Sequence, residues 1–397
     1  MIPRHLSEHL RRSAEQFPVV SLTGPRQSGK TTLVRNEFSD YNYVSLELPD
    51  QRAFALEDPR GFFSQFSGPV ILDEVQRAPD LFSYIQVFAD ELNKPGHFIL
   101  TGSHNFLLMQ QISQTLAGRC AVLHLMPFSL TELLRREPFR LETTRLADSA
   151  LPLPEMGLEQ MLFTGFYPRI HDQGLSAKQW LGSYYLTYLE RDVRNVLKVG
   201  DLETFGRFIL LCAGRSGQLL NLSGLAGDCG ITHTTAKRWL SILEASFLVL
   251  LLRPHYRNFG KRLVKSPKLY FLDTGLLCHL LRVQSNQELH HHSLRGSIFE
   301  SFVISEFYKY YCHMGQRPPL YFWRDAAGRE IAMLIDMGQQ QIPFEIKSAK
   351  TIASDFFDQL NYWRLLAGRP DGPAFLIYGG DTSMKRQNVQ VVPWFFI

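Results

Sequence analysis

The sequence predicts an α/β protein: a phosphate-loop domain with a parallel sheet, then a helical region, then a smaller α/β domain. Three observations predict it. Short apolar runs recur through the first 130 residues with room for a crossover helix between them. The first run leads straight into a complete glycine–lysine loop. After a long stretch of helical periodicity, most remaining strand-like runs gather near the carboxyl end.

FPVVSL (17–22), YVSLEL (43–48), PVILDE (69–74), HFILTG (97–102) and AVLHL (121–125) are the five expected strands. Each is a continuous apolar run of strand length, the pattern of a parallel sheet covered on both faces. Between the first two lies Gly24-Pro25-Arg26-Gln27-Ser28-Gly29-Lys30-Thr31, with Thr31 and Thr32 opening the helical TTLVRNEF. This fits G-x-x-x-x-G-K-[ST], in which backbone N–H groups cradle phosphate at a helix N-terminus. Lys30 is expected at the β/γ-phosphates and the Thr31 hydroxyl on Mg²⁺, which predicts ATP or GTP as ligand.

The third strand ends in Asp73, placing a carboxylate beside the loop to hold Mg²⁺ through water. Glu74 follows and is the candidate general base. The fourth strand ends in Thr101, with Ser103 two residues on. These are groups for the γ-phosphate or the attacking water, or else an ordinary strand-to-loop turn. Arg119, ahead of the fifth strand, is either a finger offered to a neighbouring subunit's γ-phosphate or a surface arginine.

Residues 138–155 are polar and proline-bearing, a plausible boundary, and from 156 the pattern is helical until LVLLLRP at 248–254. Within it, Leu222, Leu225 and Ala226 suggest one short helix and Gly230 a turn. Thr232 or Thr234 caps a second helix with Ala236, Leu240 and Leu243 inward and Lys237 and Arg238 outward. That is a helix-turn-helix pattern, with a following strand pair suited to a wing. Arg253, Arg257, Lys261, Arg262, Lys265 and Lys268 give six basic residues and no acidic one, so the net +4 leaves −2 for the rest of the chain. A basic segment beside a recognition helix favours double-stranded DNA, with a protein partner as the alternative. A helix from about 295 and runs at LYFWRD, REIAMLID, QIPFEIKS and AFLIYG complete the chain.

The 397 residues are 45% hydrophobic and 20% charged, which excludes a mainly disordered chain and suggests two or three domains. Five cysteines without C-x-x-C spacing argue against a disulfide scaffold and a cysteine-built zinc site. The amino end has no signal-peptide core, and no apolar stretch is long enough to cross a membrane, so a soluble, cytoplasmic protein is expected.

GPRQSGKTTL, VILDEVQRAPDLF, FILTGSHNFLL and LAGRCAVLHLMPFSLTEL resemble the AAA+ ATPases of bacteria and archaea that carry an appended C-terminal domain of unknown function. TGFYPRI, YYLTYLERDV, SPKLYFLDTGL, GSIFESFVISEF and IPFEIKS extend the resemblance along the whole chain. It implies an AAA-type ATPase core (1–137), a linker and helical lid-like region (138–215), a winged-helix region (216–290) and a fold similar to PD-(D/E)xK nucleases (291–397). It also implies adenine over guanine and places a second sensor at Arg169. A homo-oligomer is a further expectation.

In such nucleases an Asp and a Glu on adjacent strands hold Mg²⁺ and a Lys two residues on activates water. Glu345 and Lys347 supply E-x-K and Glu300 the helical glutamate. Glu330-Ile331-Ala332, however, has a methyl group where the Asp is expected, and Asp336 is about 13 Å further along the strand. The expectation is a degenerate site. Trp323 and Arg324 could stack on a base, but a core-edge Trp is expected. The histidines 290–292 are expected in a solvated polar loop and Tyr184, Tyr185 and Tyr188 in core packing, while the pair Arg191-Asp192 is either a switch salt bridge or an ordinary charge pair on a helix surface.

The expected activity is therefore Mg²⁺-dependent ATP hydrolysis coupled to movement of the later regions, acting on DNA. An ATP-dependent DNA-cleaving enzyme and a nucleotide-gated regulator or scaffold are the rivals.

Overall fold

The computed structural model describes residues 2–103, 112, 114–138, 151–188, 202–255 and 265–397. They form two compact units, one of Met1–Arg135, Ala245–Phe247 and Lys309–Arg317, the other of Arg136–Glu244, Leu248–Tyr308 and Pro318–Ile397. The expected lid-like, winged-helix and nuclease-like segments fall mainly within the second. Of the residues singled out above, Arg191, Asp192, Arg257, Lys261 and Arg262 lie outside the described residues, as does the side chain of Tyr188.

In the first unit, strands β1 (Val19–Thr23), β2 (Asn42–Ser45), β3 (Val70–Asp73), β4 (Phe98–Gly102) and β5 (Cys120–His124) form a sheet in the order β2-β3-β4-β1-β5. Every pairing is parallel. Helices α1 (Leu6–Gln16) and α2 (Lys30–Glu37) cover one face, α4 (Pro59–Ser64) and α5 (Leu81–Leu92) the other, and α3 (Pro49–Glu57) follows β2. Leu6, Leu10, Leu33 and Val34 pack on Val20, Leu22, Ile71 and Ile99. Phe62, Phe63, Leu81, Phe82 and Ile85 pack on Val19, Val70, Leu72, Phe98 and Leu100. Successive strand residues point to opposite faces, and both faces are dry, which is why the runs are apolar without alternation. β2 is shorter than its apolar run because the chain leaves the sheet at Leu46, buried in the second cluster, before Pro49 opens α3.

In this unit His313 is buried and His124 is half-buried. Burial pushes His124 down to about 4. Burial also pushes His313 down to about 3, outweighing Glu132 nearby, while Arg4, His5 and Lys309 push the same way as burial. Both are neutral when folded at pH 5 to 7, whereas an unfolded histidine takes up a proton below its ordinary 6.5. The unfolded state thus binds more protons in that window, so stability falls as pH drops, by about 2 kcal/mol per histidine between pH 7 and 5. Thermal melts at the two pH values are expected to differ by roughly 10 °C or more, and His124→Gln should recover part of the difference.

The second unit is built on a mixed eight-stranded sheet in the order β12-β13-β11-β10-β9-β8-β6-β7. Its strands are β6 (Val249–Pro254), β7 (Lys268–Phe271), β8 (Leu320–Arg324), β9 (Glu330–Asp336), β10 (Gln341–Lys347), β11 (Phe375–Tyr378), β12 (Met384–Arg386) and β13 (Val389–Pro393). The helix-turn-helix expectation meets helices Leu222–Cys229 and His233–Ala245 joined by Gly230, Ile231 and Thr232, with Gly230 left-handed at φ 69°. Thr232 Oγ1 accepts from the Thr235 N–H at 3.1 Å, so Thr232 rather than Thr234 is the cap. The strand pair assigned to a wing is different. β6 and β7 do pair antiparallel, but β6 also pairs with β8, so the pair continues the large sheet and β7 is its edge strand. Local apolar periodicity identified these strands without identifying their neighbours.

Other side chains depart from or meet expectation within this unit. His290 and His291 end a short helix, Asn286–His291, rather than lying in a loop, and His290 Nδ1 is 3.1 Å from Glu159. Trp323 is 1% exposed and belongs to the core. Tyr184 is buried and stacks on Trp180.

Candidate functional site

β1 feeds the loop because Thr23 ends the central part of the sheet, between β4 and β5, and chain order reverses there. In open α/β sheets, ligands bind at the carboxyl ends of strands at such a point. Gly24 has φ 151°, and a Cβ there would come 2.1 Å from the Leu125 carbonyl oxygen, so only glycine fits. Gly29, at φ 93°, precedes α2 with no side chain capping the helix. The first-turn N–H groups of Lys30, Thr31 and Thr32 therefore have no side-chain acceptor, as an anion site requires. Ser28 Oγ is buried without a hydrogen-bond partner, an orphan that a bound ligand would satisfy. Pro25 is buried, Arg26 half-buried and Gln27 exposed, with Gln27 itself at φ 62°.

Lys30 is 6% exposed. Its ammonium donates to the carbonyls of Gly24 at 3.0 Å and Pro25 at 2.9 Å. Burial lowers its pKa to about 8, against the opposing pull of Glu74 and Asp73. It remains mostly protonated at neutral pH, as a phosphate ligand must be.

Asp73 is 6% exposed at the end of β3 and gathers three hydroxyls. Thr31 Oγ1 donates to it at 3.0 Å and Tyr43 Oη at 2.8 Å, and Thr101 Oγ1 donates as well. Burial, then the Asp73 charge, pushes the Tyr43 phenol up to about 12, so it stays a donor. Thr31 and Asp73 present hard oxygen donors beside the phosphate loop, a donor set that fits Mg²⁺.

Glu74 sits in the left-handed region at φ 56°, ψ 42°, which is costly for a residue with a Cβ. That backbone turns its carboxylate toward Ser103 Oγ at 3.2 Å and Gln76 Nε2. Lys30, Thr31, Asp73, Glu74, Thr101 and Ser103 are thus brought together at one sheet edge. Thr101 is engaged by Asp73. Tyr43 and Gln76 were missed. Tyr43 lies on a neighbouring strand opposite Ile71, and no spacing along the chain marks that proximity.

Arg119 is not at this edge. It precedes β5 at the opposite end, five residues or roughly 16 Å of strand from the loop. Its Nη2 donates to Asp90 Oδ2 at 2.9 Å, so within its own unit it is an ion-paired surface arginine. Arg169 is exposed in the second unit and donates to Gln173 at 3.3 Å.

The second unit holds the residues that the resemblance assigned to a nuclease site. Tyr270 Oη and Lys268 Nζ donate to Glu300 Oε1 at 2.5 and 3.2 Å, and Lys268 also donates to Glu330. Lys347 Nζ is 2.7 Å from Glu345, whose carboxyl is pushed up by burial and held back by Lys347. β9 and β10 pair with Met333 opposite Phe344, which puts Ala332 beside Glu345, where the missing carboxylate would stand. Asp336 is committed elsewhere, accepting from His255 Nε2 and Gln341 Nε2, both at 2.9 Å. Among the described residues no three His, Cys, Asp or Glu side chains are arranged to hold a metal ion. Lys268 is 4% exposed, so it is removed from the basic run to which the sequence assigned it. Lys237, Arg238 and Lys265 are exposed.

Three family models divide the chain. An AAA domain covers residues 16–134, and two domains of unknown function, DUF8612 and DUF4143, cover 156–287 and 295–397. The uncharacterized protein Rv2008c of Mycobacterium tuberculosis is 31% identical over 349 residues, 88% of this chain and 74% of its own length. The uncharacterized protein Mb2031c of Mycobacterium bovis matches with the same figures. Among solved structures, the Walker-type ATPase PABY2304 of Pyrococcus abyssi has a TM-score of 0.46 at 16% identity, over 71% of this chain and 96% of that one. AMPPCP-bound DnaA from Aquifex aeolicus has a TM-score of 0.29 at 16% identity, over 60% and 85% of the two chains. At those scores the two structural likenesses bear no weight. The AAA domain contains the whole of the phosphate-loop site, which is that of a P-loop ATPase. Among the described residues no helix is long and apolar enough to cross a membrane.

Proposed function

The chain belongs to one family with the mycobacterial proteins Rv2008c and Mb2031c, and on that premise we propose that it hydrolyses ATP and couples turnover to DNA binding by its second unit. The observation that carries the ATPase reading is the convergence of Lys30, the Thr31–Asp73 pair and Glu74 on one sheet edge.

The loop amides from Gly24 to Thr32 bind the phosphates and Lys30 holds their charge. Thr31 and Asp73 would hold Mg²⁺, which when bound supplies positive charge along the triphosphate. Tyr43 and Thr101 fix the Asp73 carboxylate. Glu74 takes the proton of the attacking water, with Ser103 and Gln76 orienting it. Arg119 acts only on a neighbour's nucleotide in a homo-oligomer, since its own loop lies at the other end of the sheet. Arg169 remains a second-sensor assignment carried by the resemblance alone.

The DNA reading rests on Lys237 and Arg238, exposed on the second helix of the helix-turn-helix, with Lys265 and the basic residues at 257–262 nearby in sequence. The nuclease-like cluster is assigned no cleavage. Ala332 supplies no ligand, and Glu300 and Glu330 are already ion-paired with the Lys268 ammonium. Steady-state ATP hydrolysis with and without duplex DNA tests the coupling. Stimulation at 50 mM salt that fades by 200 mM, and is lost in Lys237→Glu with Arg238→Glu, is expected. Turnover indifferent to DNA would transfer the role to a protein partner. Supercoiled plasmid should stay intact with Mg²⁺; nicking abolished by Glu345→Ala would favour a DNA-cleaving enzyme instead.

A further inference from the structure

We propose that Arg4 is a positioning residue of the phosphate loop, fixing the peptide between Ser28 and Gly29 so that its amide serves the nucleotide. This rests on the ATP-binding reading above. Arg4 lies just ahead of α1, yet its guanidinium reaches three parts of the first unit. Nη1 donates to the Ser28 carbonyl at 2.8 Å, Nη2 to the Met126 carbonyl at 2.6 Å, and Nε to Glu132 at 3.1 Å. The group also lies over the Phe128 ring, 4.9 Å from its centroid.

The far end of this clamp is itself fixed. Glu132 is 1% exposed. It closes a capping box with Ser129 at the start of the helix Leu130–Leu133 and accepts from the His5 backbone N–H at 2.8 Å. Burial alone would raise its pKa, but Arg4, then His313 and His5, hold it down to about 2, so it stays charged opposite the guanidinium.

The effect on the loop follows from peptide geometry. In a planar trans peptide the C=O and the next N–H point in opposite directions. Pinning the Ser28 carbonyl toward Arg4 therefore turns the Gly29 N–H away from it, the side we assign to phosphate. Gly29 has φ 93° and no Cβ, so nothing intrinsic to the residue prevents that peptide from turning over. The guanidinium supplies the restraint, and an ammonium cannot replace it, because one nitrogen cannot span Ser28, Met126 and Glu132 at once.

The test compares ATP KM, kcat and melting temperature in wild type, Arg4→Lys and Arg4→Ala. Arg4→Lys is expected to raise KM roughly 10-fold with kcat within about 3-fold, because a mispositioned amide weakens binding more than chemistry. Millimolar methylguanidinium added to Arg4→Ala should lower its KM again. A fall in melting temperature with unchanged KM would make Arg4 a structural brace and overturn the proposal. Failure of both variants to fold would do the same. Wild type without ATP binding would instead remove the phosphate-loop reading itself, a separate failure.

Discussion

Lys30→Ala is expected to weaken ATP binding by at least about 100-fold and to leave no measurable turnover. Lys30 is the cation placed inside the loop, and its ammonium now rests on the Gly24 and Pro25 carbonyls at 3.0 and 2.9 Å. A triphosphate carries charge that those carbonyls do not, so the ammonium has a stronger acceptor to turn to when ligand arrives. Fold stability should change much less than affinity. Removing a buried cation relieves its desolvation, while Asp73 keeps its three hydroxyl donors. Titration of a fluorescent ATP analogue, with a melting curve of the same sample, separates the two effects.

Glu74→Gln is expected to do the opposite: ATP still binds within a few-fold of wild type, while kcat falls by about 10²- to 10⁴-fold. Glutamine keeps the length of the side chain and one oxygen to accept from Ser103 or Gln76, but it cannot take a proton. The left-handed backbone at position 74 is unchanged by the substitution, so the site keeps its shape. A variant that loses binding and turnover together would make Glu74 a structural acceptor for Gln76. Binding without release in wild type would favour a nucleotide-gated regulator.

The two effects trace the limits of what could be read along the chain. Lys30, Thr31 and Asp73 were legible because loop curvature, helix start and strand end are local, and local spacing dictates them. The five parallel strands were legible for the same reason, their two dry faces leaving continuous apolar runs. Tyr43 reaches Asp73 only through the β2–β3 pairing, and Arg4 reaches Ser28 across 24 residues. Neither distance leaves a pattern in sequence. Lys268 illustrates the converse. Its place in a basic run suggested phosphate contact, but β7 buries it against Glu300 and Glu330. The β6–β7 pair was likewise legible as strands but not as the edge of an eight-stranded sheet, because partner choice is set by tertiary packing.

The most direct measurement is phosphate release from ATP by the purified wild-type chain, with Mg²⁺ and with the metal chelated, alongside Glu74→Gln. Turnover that requires Mg²⁺ and falls by at least about 100-fold in the variant is the predicted result. Release that persists undiminished in Glu74→Gln, or is absent from wild type in the presence of Mg²⁺ and duplex DNA, would contradict ATP hydrolysis at this sheet edge.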